Sequence, residues 1–246
     1  MRSRKEETMA APAPMPSQGD EAAGSLRRES RAHPDEEQLS ELLASRVVRQ
    51  ALQPVAERLL AFPDGGVFCI ASAEPDEGRT LVATALGLML SETTDKNVLL
   101  VDAHTQRPCI HHLFGVPRTP GLVECLLEEC RLQDAVCLVG TLSVLPAGRD
   151  DGRPRLFRTA TAKRLLEEIG KTYDLALIDL PPLAPTAAEA VALCDWADGT
   201  IMVVRANATR ASAVAKAVEM IDSHKVLGVV LNQEQDDMPR WLQRLL

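Results

Sequence analysis

Continuous apolar runs recur along this chain and alternate with segments of helical periodicity. Six runs have the length of a strand: residues 67–71, 98–102, 142–145, 175–179, 200–205 and 226–231. Apolar residues recur at helical spacing in other segments, at 80–90, 121–129, 160–170, 187–196 and 210–223. Runs without polar alternation are typical of strands that helices cover on both faces. The alternation therefore predicts an α/β fold, a doubly wound and mostly parallel sheet with helices on both faces.

Composition divides the chain into four parts. Residues 1–37 mix charged patches with a Pro/Ala stretch and lack an apolar period, which predicts a disordered tail. Residues 38–62 form a helical lead-in with a break expected at Pro54, and residues 63–235 form the α/β domain. Residues 236–246 form a short amphipathic tail, which either docks on a partner or membrane surface or packs on the domain as a last helix.

Charge and cysteine content restrict the partners and the compartment. The formal net charge is −8, whereas nucleic-acid binding needs a clustered basic face, so the composition argues against nucleic acid as a partner. The six cysteines form no CxxC pair, and the N-terminus has no apolar signal-peptide core. No run approaches the roughly 20 apolar residues that span a bilayer. We therefore expect a cytoplasmic protein with reduced thiols.

A loop at residues 72–80 joins the first predicted strand of the domain to the next predicted helix. Phosphate-binding loops of the pattern GxxxxGK[ST] occupy this position, where backbone N–H groups hold phosphate, a Lys reaches the β and γ oxygens, and a hydroxyl binds Mg²⁺. Gly78 and Thr80 match this pattern, whereas Ala73 takes the place of the first Gly and Arg79 that of the Lys. The sequence predicts a phosphate-binding loop that is only half preserved.

Two acids, Asp102 and Asp179, each end an apolar run. The carboxyl ends of parallel strands meet at one edge of a sheet, so both acids are expected beside the loop and near Arg205. Carboxylates at this place hold Mg²⁺ directly or through water. The alternative for each acid is a strand-end Asp that caps the following loop.

From about Val67 to Asn232 the chain resembles the bacterial tyrosine autokinases of capsular and exopolysaccharide assembly, relatives of the MinD/ParA group of P-loop ATPases. The matching segments occur in the family's order and spacing: 72–75 with 77–78, 98–103 with 107–108, 112–117 with 120–122, 142–148, 173–175 through 178–179 with 181–182, 203–206 and 226–232. Each segment alone is a weak signal. Together they indicate the P-loop NTPase fold.

This resemblance implies a site, a cofactor and a partner. It implies that ATP is bound by Glu77, Gly78, Arg79 and Thr80, with Asn232 near the adenine. Mg²⁺ would lie among Thr80, Asp102 and Asp179, the last two being the catalytic pair. It also implies a membrane-embedded polysaccharide copolymerase or export protein that recruits the domain to the inner face of the membrane, and it leaves room for a homo-oligomer.

The chain departs from the family pattern at four places. In the loop, Asp76 replaces a Gly and Arg79 a Lys. A carboxylate about 6 Å from a phosphate opposes each unit of its charge by about 3 kcal/mol at a dielectric constant near 20. In the second acidic motif, D-x-D-x-R, His104 and Gln106 replace the second Asp and the Arg. The C-terminal tyrosine cluster is absent, and the ring-forming E-x-x-R-x-x-R helix is reduced to Arg46 and Arg49.

Three functions are compatible with these features. The first is a degenerate, tyrosine-kinase-like regulator or scaffold of exopolysaccharide or capsule biosynthesis and export. The second is an active ATP-dependent protein-tyrosine kinase or ATPase of the same pathway, in which Arg79 and His104 are tolerated. The third is a MinD/ParA-like positioning ATPase, against which Glu74 stands where that group has a signature Lys.

Two further groups of histidines and cysteines are candidates for functional roles. His104, Cys109, His111 and His112 match no usual zinc spacing, so ordinary polar roles are favoured over a metal site. Cys125 and Cys130 lie five apart on a predicted helix, which would direct them to different faces.

Overall fold

The computed structural model describes residues 45–150, 156–183 and 188–233. These residues form one seven-stranded sheet in the order β3-β4-β2-β5-β1-β6-β7. Its strands are β1 (Gly66–Ser72), β2 (Val98–Asp102), β3 (Cys137–Val139), β4 (Leu142–Leu145), β5 (Leu175–Asp179), β6 (Gly199–Arg205) and β7 (Val226–Asn232). The predicted tail at 1–37, the start of the lead-in and the C-terminal tail at 236–246 lie outside the described residues.

The sheet is parallel except where the short edge strand β3 pairs antiparallel with β4. In the centre, β5 lies between β2 and β1, and its register sets Asp179 directly beside Asp102. On the other side of β1, β6 pairs in parallel and carries β7 at the edge. The carboxyl ends of the parallel strands therefore meet along one edge, as the alternation of the sequence predicted.

Helices cover both faces of the sheet. They are α1 (Arg46–Leu60), α2 (Arg79–Thr93), α3 (Ile110–Leu113), α4 (Leu122–Leu126), α5 (Leu132–Ala135), α6 (Ala160–Thr172), α7 (Ala188–Trp196) and α8 (Ala211–Glu219). Alternate residues of β1 supply two separate cores: Phe68 and Ile70 pack on the side of α1 and α2, while Cys69 and Ala71 pack on the side of α6 and α7. The predicted α/β fold is confirmed.

The break predicted at Pro54 is wrong, since α1 continues through that residue. Leu52, Ala56 and Leu59 lie on both sides of the proline and are buried in the core shared with α2. A proline inside a helix costs about 3 kcal/mol, whereas a fully buried leucine contributes about 2 kcal/mol. The burial on both sides of Pro54 therefore outweighs the lost backbone hydrogen bond.

The helix predicted at 121–129 ends at Leu126, and this changes the relation between two cysteines. Glu128 adopts a left-handed backbone conformation with φ 59°, which turns the chain back on itself. The Sγ atoms of Cys125 and Cys130 lie 3.5 Å apart as a result. The expectation that these thiols face different directions is wrong, because it rested on a helix that does not reach residue 130.

The described part of the chain contains no helix that is both long enough and apolar enough to span a bilayer.

Candidate functional site

The loop between β1 and α2 keeps the backbone shape that a phosphate-binding loop requires. Gly78 precedes α2 in a left-handed conformation, with φ 83°, and a Cβ there would lie 1.9 Å from Nδ2 of Asn232. Only glycine fits this position. Asp76 is also left-handed, with φ 61°, where the family pattern has Gly. Asp is one of the few other residues that adopts this conformation locally, so the loop keeps its course at a cost of about 1 kcal/mol.

Glu77 fastens the loop to the end of β6. Its carboxylate is buried, with 3% of the residue exposed. One oxygen accepts a hydrogen bond from the backbone N–H of Glu74 at 2.8 Å, and the other accepts from the Thr209 hydroxyl and, at 3.4 Å, from the N–H of Arg205. This carboxylate therefore holds the protein's own backbone in place, and the cofactor role expected for Glu77 stays a prediction.

Asn232 lies at the end of β7 and also contacts the loop. Its Nδ2 donates to the backbone carbonyl of Glu77 at 2.9 Å. The sequence expectation placed Asn232 at the nucleotide, and the structure brings it next to Gly78 across 154 positions of sequence. Its contact with adenine stays a prediction.

Arg79 turns inward and forms a buried ion pair with Asp179. Its Nε donates to Oδ1 of Asp179 at 2.7 Å, and its Nη1 donates to the Ser72 hydroxyl at 2.9 Å. The side chains of Arg79 and Asp179 are only 8% and 1% exposed. The Thr80 hydroxyl donates to Oδ2 of the same carboxylate at 2.6 Å. Both oxygens of Asp179 therefore already have protein partners.

Asp102 is held by backbone groups. Its Oδ1 accepts from the N–H of His104, and its Oδ2 accepts from Cys109 and Ile110, all at 3.1 Å. This is the loop-capping arrangement named as the alternative for a strand-end Asp. Burial, followed by the negative charge of Asp179, raises the pKa of Asp102 to about 7, although the backbone N–H groups act in the opposite direction.

His104 stands where the family pattern has its second Asp, and the Cys109 thiol lies near the same two acids. Burial and then the charge of Arg79 lower the pKa of His104, while Asp179 acts to raise it. Burial and the charges of Asp102 and Asp179 raise the pKa of Cys109 to about 11. At neutral pH both groups are therefore uncharged, and neither replaces the missing carboxylate as an anionic ligand.

Metal-ligating side chains do not converge in the described residues, where no group of three or more His, Cys, Asp or Glu is arranged to hold an ion. His111 and His112 instead place their rings 3.9 Å apart in α3.

The structure thus brings the predicted positions of loop, strand ends and β7 into one place, and it adds two residues. Ser72 is a polar residue at the end of an apolar strand. This position in the sequence could have indicated a polar contact at the site, which the structure shows to be with Arg79. Thr209 lies 132 positions from Glu77 and carried no local signal.

Comparisons with known proteins identify the family and the fold of the chain. No family model matches the chain. Tyrosine-protein kinase YwqD of Bacillus subtilis is 32% identical over 168 residues, which cover 66% of this chain and 70% of that protein. The succinoglycan biosynthesis transport protein ExoP of Rhizobium meliloti is 33% identical over 72% of this chain but only 23% of its own length. The crystal structure of the VpsO kinase domain matches 82% of this chain and 100% of that domain at 28% identity, with a TM-score of 0.71. The chain therefore belongs to the bacterial tyrosine-protein kinase family, with its MinD/ParA-like P-loop NTPase fold.

Proposed function

We propose that this protein is a degenerate member of its kinase family, a cytoplasmic regulator or scaffold in exopolysaccharide or capsule biosynthesis and export with little or no phosphoryl transfer of its own. The observation that carries the proposal is the buried pair of Arg79 and Asp179. The cation that should meet a phosphate is neutralised by the carboxylate that should meet the metal. The side chains that would bind the nucleotide and the metal therefore bind each other.

Opening this pair is costly. A triphosphate would have to draw Arg79 away from Asp179, and removing one partner of a buried ion pair costs about 3 to 5 kcal/mol. A planar guanidinium held by Nε and Nη1 at two different acceptors is also fixed in direction, unlike the compact ammonium of the family's Lys. Phosphate binding must therefore compete with contacts that the folded protein already has.

The acidic groups of the site add to this barrier. Asp102 uses both oxygens for backbone N–H groups of the following loop, so binding a metal would disturb that loop. Asp76 is exposed on the phosphate loop, where its charge repels an incoming phosphate. Arg79 is the cation that must offset these charges, and it is engaged with Asp179.

Should Mg²⁺ and ATP bind, the residues that would hold them are the loop N–H groups of 77–80, the Thr80 hydroxyl and the Asp102 and Asp179 carboxylates, with Asn232 beside the adenine. The ion would supply charge neutralisation for the phosphates. These residues fit Mg²⁺ and ATP poorly in their present contacts, because Arg79 already donates a hydrogen bond to Oδ1 of Asp179.

The partner proposed here is a membrane-embedded copolymerase or export protein, which would recruit the domain to the inner face of the membrane. The name of the ExoP relative points to polysaccharide biosynthesis and transport for that protein. The sequence contains a single tyrosine, Tyr173, directly before β5, so it offers no tyrosine cluster for autophosphorylation. Control of a partner, with or without assembly into a homo-oligomer, is a function that survives without catalysis.

An active kinase or ATPase is the second candidate. One observation favours it: Thr80, Asp102 and Asp179 remain side by side, and Gly78 keeps its left-handed conformation. The MinD/ParA-like positioning ATPase has no comparable support, since Glu74 stands at its signature Lys position.

A thermal-shift titration separates the two candidates. Mg²⁺–ATP should leave the melting temperature of the wild type unchanged and raise that of an Asp76→Gly, Arg79→Lys double variant. A ligand at 100 times its dissociation constant adds about 2.7 kcal/mol of stability. The matched control is the double variant Asp95→Gly, Arg58→Lys, which changes the same residue types at exposed positions outside the loop. A wild-type shift as large as that of the repaired loop would reject the degenerate assignment.

A further inference from the structure

The turn that follows α4 brings two thiols into contact. The N–H of Glu128 donates to the carbonyl of Cys125 at 3.0 Å, and the N–H of Glu129 donates to the carbonyl of Glu124 at 2.9 Å. With Glu128 in a left-handed conformation, these bonds reverse the chain and bring Sγ of Cys130 to 3.5 Å from Sγ of Cys125. The two sulfur atoms are in van der Waals contact without a covalent bond.

This pair differs from the other cysteines in being both paired and reachable. Cys69 and Cys194 also interact, but they are 0% and 1% exposed and lie in the core. Cys125 is 6% exposed and Cys130 is partly exposed at the surface end of the turn. A small reagent can therefore reach Cys130, and Cys125 lies directly behind it.

Ion pairs are formed by the two residues that precede Cys130. Glu128 pairs with Arg164 at 2.5 Å, and Glu129 makes two bonds to Arg149, at 2.5 and 2.6 Å. Because the side chains of both pairs are largely exposed, the chain reversal depends mainly on its backbone hydrogen bonds and on the left-handed conformation of Glu128. The thiols are thus presented to each other by the fold and do not have to find each other by diffusion.

We propose that Cys125 and Cys130 are a modification site, at which a small-molecule disulfide such as glutathione disulfide converts the two thiols into a reversible intramolecular disulfide. The thiolate of Cys130 attacks one sulfur of glutathione disulfide, whose S–S bond breaks and releases one glutathione thiolate. Cys125, after losing its proton to solvent, attacks the Cys130 sulfur of the mixed disulfide and releases the second glutathione. The protein loses two electrons and two protons, and glutathione disulfide gains both.

Burial and the contact with Cys130 raise the pKa of the Cys125 thiol well above its usual value, which lowers its thiolate fraction, whereas the contact between the two sulfur atoms favours the second step over accumulation of the mixed disulfide. The sulfur atoms must move from 3.5 Å to the bond length of about 2.05 Å, which small rotations of the two side chains can supply. The bridge would tie the end of α4 to the segment entering α5. The start of α4 is already bound to the end of β4, through Leu122 N–H to Pro146 at 2.8 Å and Val123 N–H to Ala147 at 3.0 Å.

The sequence provides a direct readout. Trypsin releases residues 119–131 as one peptide that contains Cys125 and Cys130 and no other cysteine. Full-length reduced protein is incubated in glutathione buffers of increasing disulfide fraction, then unfolded in denaturant that contains N-ethylmaleimide, so that buried thiols are also labelled, and digested. The expected product is this peptide without label and about 2 Da lighter than the reduced form, with two fewer labelled thiols than the six of the reduced chain.

Variants distinguish a built pair from general thiol reactivity. Cys125→Ser should stop at a glutathione adduct on Cys130, whereas Cys137→Ser, which removes a partly exposed cysteine elsewhere, should leave the unlabelled peptide unchanged. The wild-type peptide map decides the question even if a serine variant does not fold. A wild type that carries two labels or only a glutathione adduct on this peptide in oxidising buffer would overturn the proposal.

Discussion

Asp102 and Asp179 sit side by side at the ends of β2 and β5, yet the protein holds them in different ways. Asp179 is bound by two side chains, those of Arg79 and Thr80. Asp102 is bound by backbone N–H groups of the loop that follows it. The carboxylate of Asp102 is thus needed by the local fold whatever the chemistry, whereas the state of Asp179 depends on which residue stands at position 79. A substitution at position 79 can therefore change the environment of Asp179 while Asp102 keeps its place.

Asp179→Asn should have the largest effect on the free energy of unfolding. It leaves the guanidinium of Arg79 buried without its counter-charge, so we expect a loss of about 3 to 5 kcal/mol in the free energy of unfolding, measured in urea. Asp195→Asn, at an exposed position of α7, is the control and should change stability by less than about 0.5 kcal/mol. Replacing both partners, as Arg79→Met with Asp179→Leu, should recover much of the loss. A drop below about 1 kcal/mol for Asp179→Asn would contradict the buried pair.

The titration of Asp102 should give the next largest effect. Its pKa is raised to about 7 from 3.8, so between about pH 4 and 7 the folded protein keeps a proton that the unfolded chain has lost. Stability should therefore fall as pH rises through this window, by at most about 4 kcal/mol from this group. Urea unfolding of the wild type and of Asp102→Asn at several pH values isolates the effect, because the variant lacks this slope. Identical pH slopes in the two proteins would show that Asp102 is charged throughout.

Glu77→Ala tests a third acid of the site. The carboxylate of Glu77 binds mainly to the protein's own backbone. Its loss leaves buried donors without an acceptor, and we expect about 2 kcal/mol of destabilisation. The matched control is Glu57→Ala, an exposed acid that accepts from Gln53 in α1. If Glu77→Ala and Glu57→Ala lowered the free energy of unfolding in urea by the same amount, the hydrogen bonds of Glu77 between the loop and β6 would not stabilise the protein.

Asp76→Gly should have the smallest effect on stability. Glycine relieves the left-handed strain but adds freedom to the unfolded chain, and the two terms nearly cancel, to within about 1 kcal/mol. Asp76→Ala keeps the strain while removing the charge and serves as the comparison. A large destabilisation by Asp76→Gly in thermal unfolding would mean that the aspartate side chain itself holds the loop.

Much of the fold could be predicted because its signals are local. The predicted bounds of β2, β4 and β5 match those of the strands, and in β2 and β5 burial on both faces leaves no polar residue before the final Asp. The three-residue strand β3 and the four-residue helix α3 escaped prediction, because elements this short do not repeat their period often enough to form a recognisable pattern. At Pro54 tertiary burial overrode the local rule, and at Glu128 a left-handed residue ended a helix that apolar spacing alone would have continued.

The site could be placed from the sequence but not understood from it. Strand ends and a half-preserved loop located Thr80, Asp102 and Asp179. The direction of the Arg79 side chain was not accessible, because it depends on Ser72 and on an acid 100 positions away. Likewise the partners of Glu77 lie partly on the segment after β6, which no pattern linked to the loop.

The central claim, that Arg79 and Asp179 close the site to Mg²⁺–nucleotide, is tested most directly by calorimetric titration of the purified full-length protein with Mg²⁺–ATP. We expect no saturable binding for the wild type at ligand concentrations up to the millimolar range, and binding once Asp76→Gly and Arg79→Lys are introduced. A wild-type dissociation constant near 1 μM, corresponding to about −8 kcal/mol, would contradict the account.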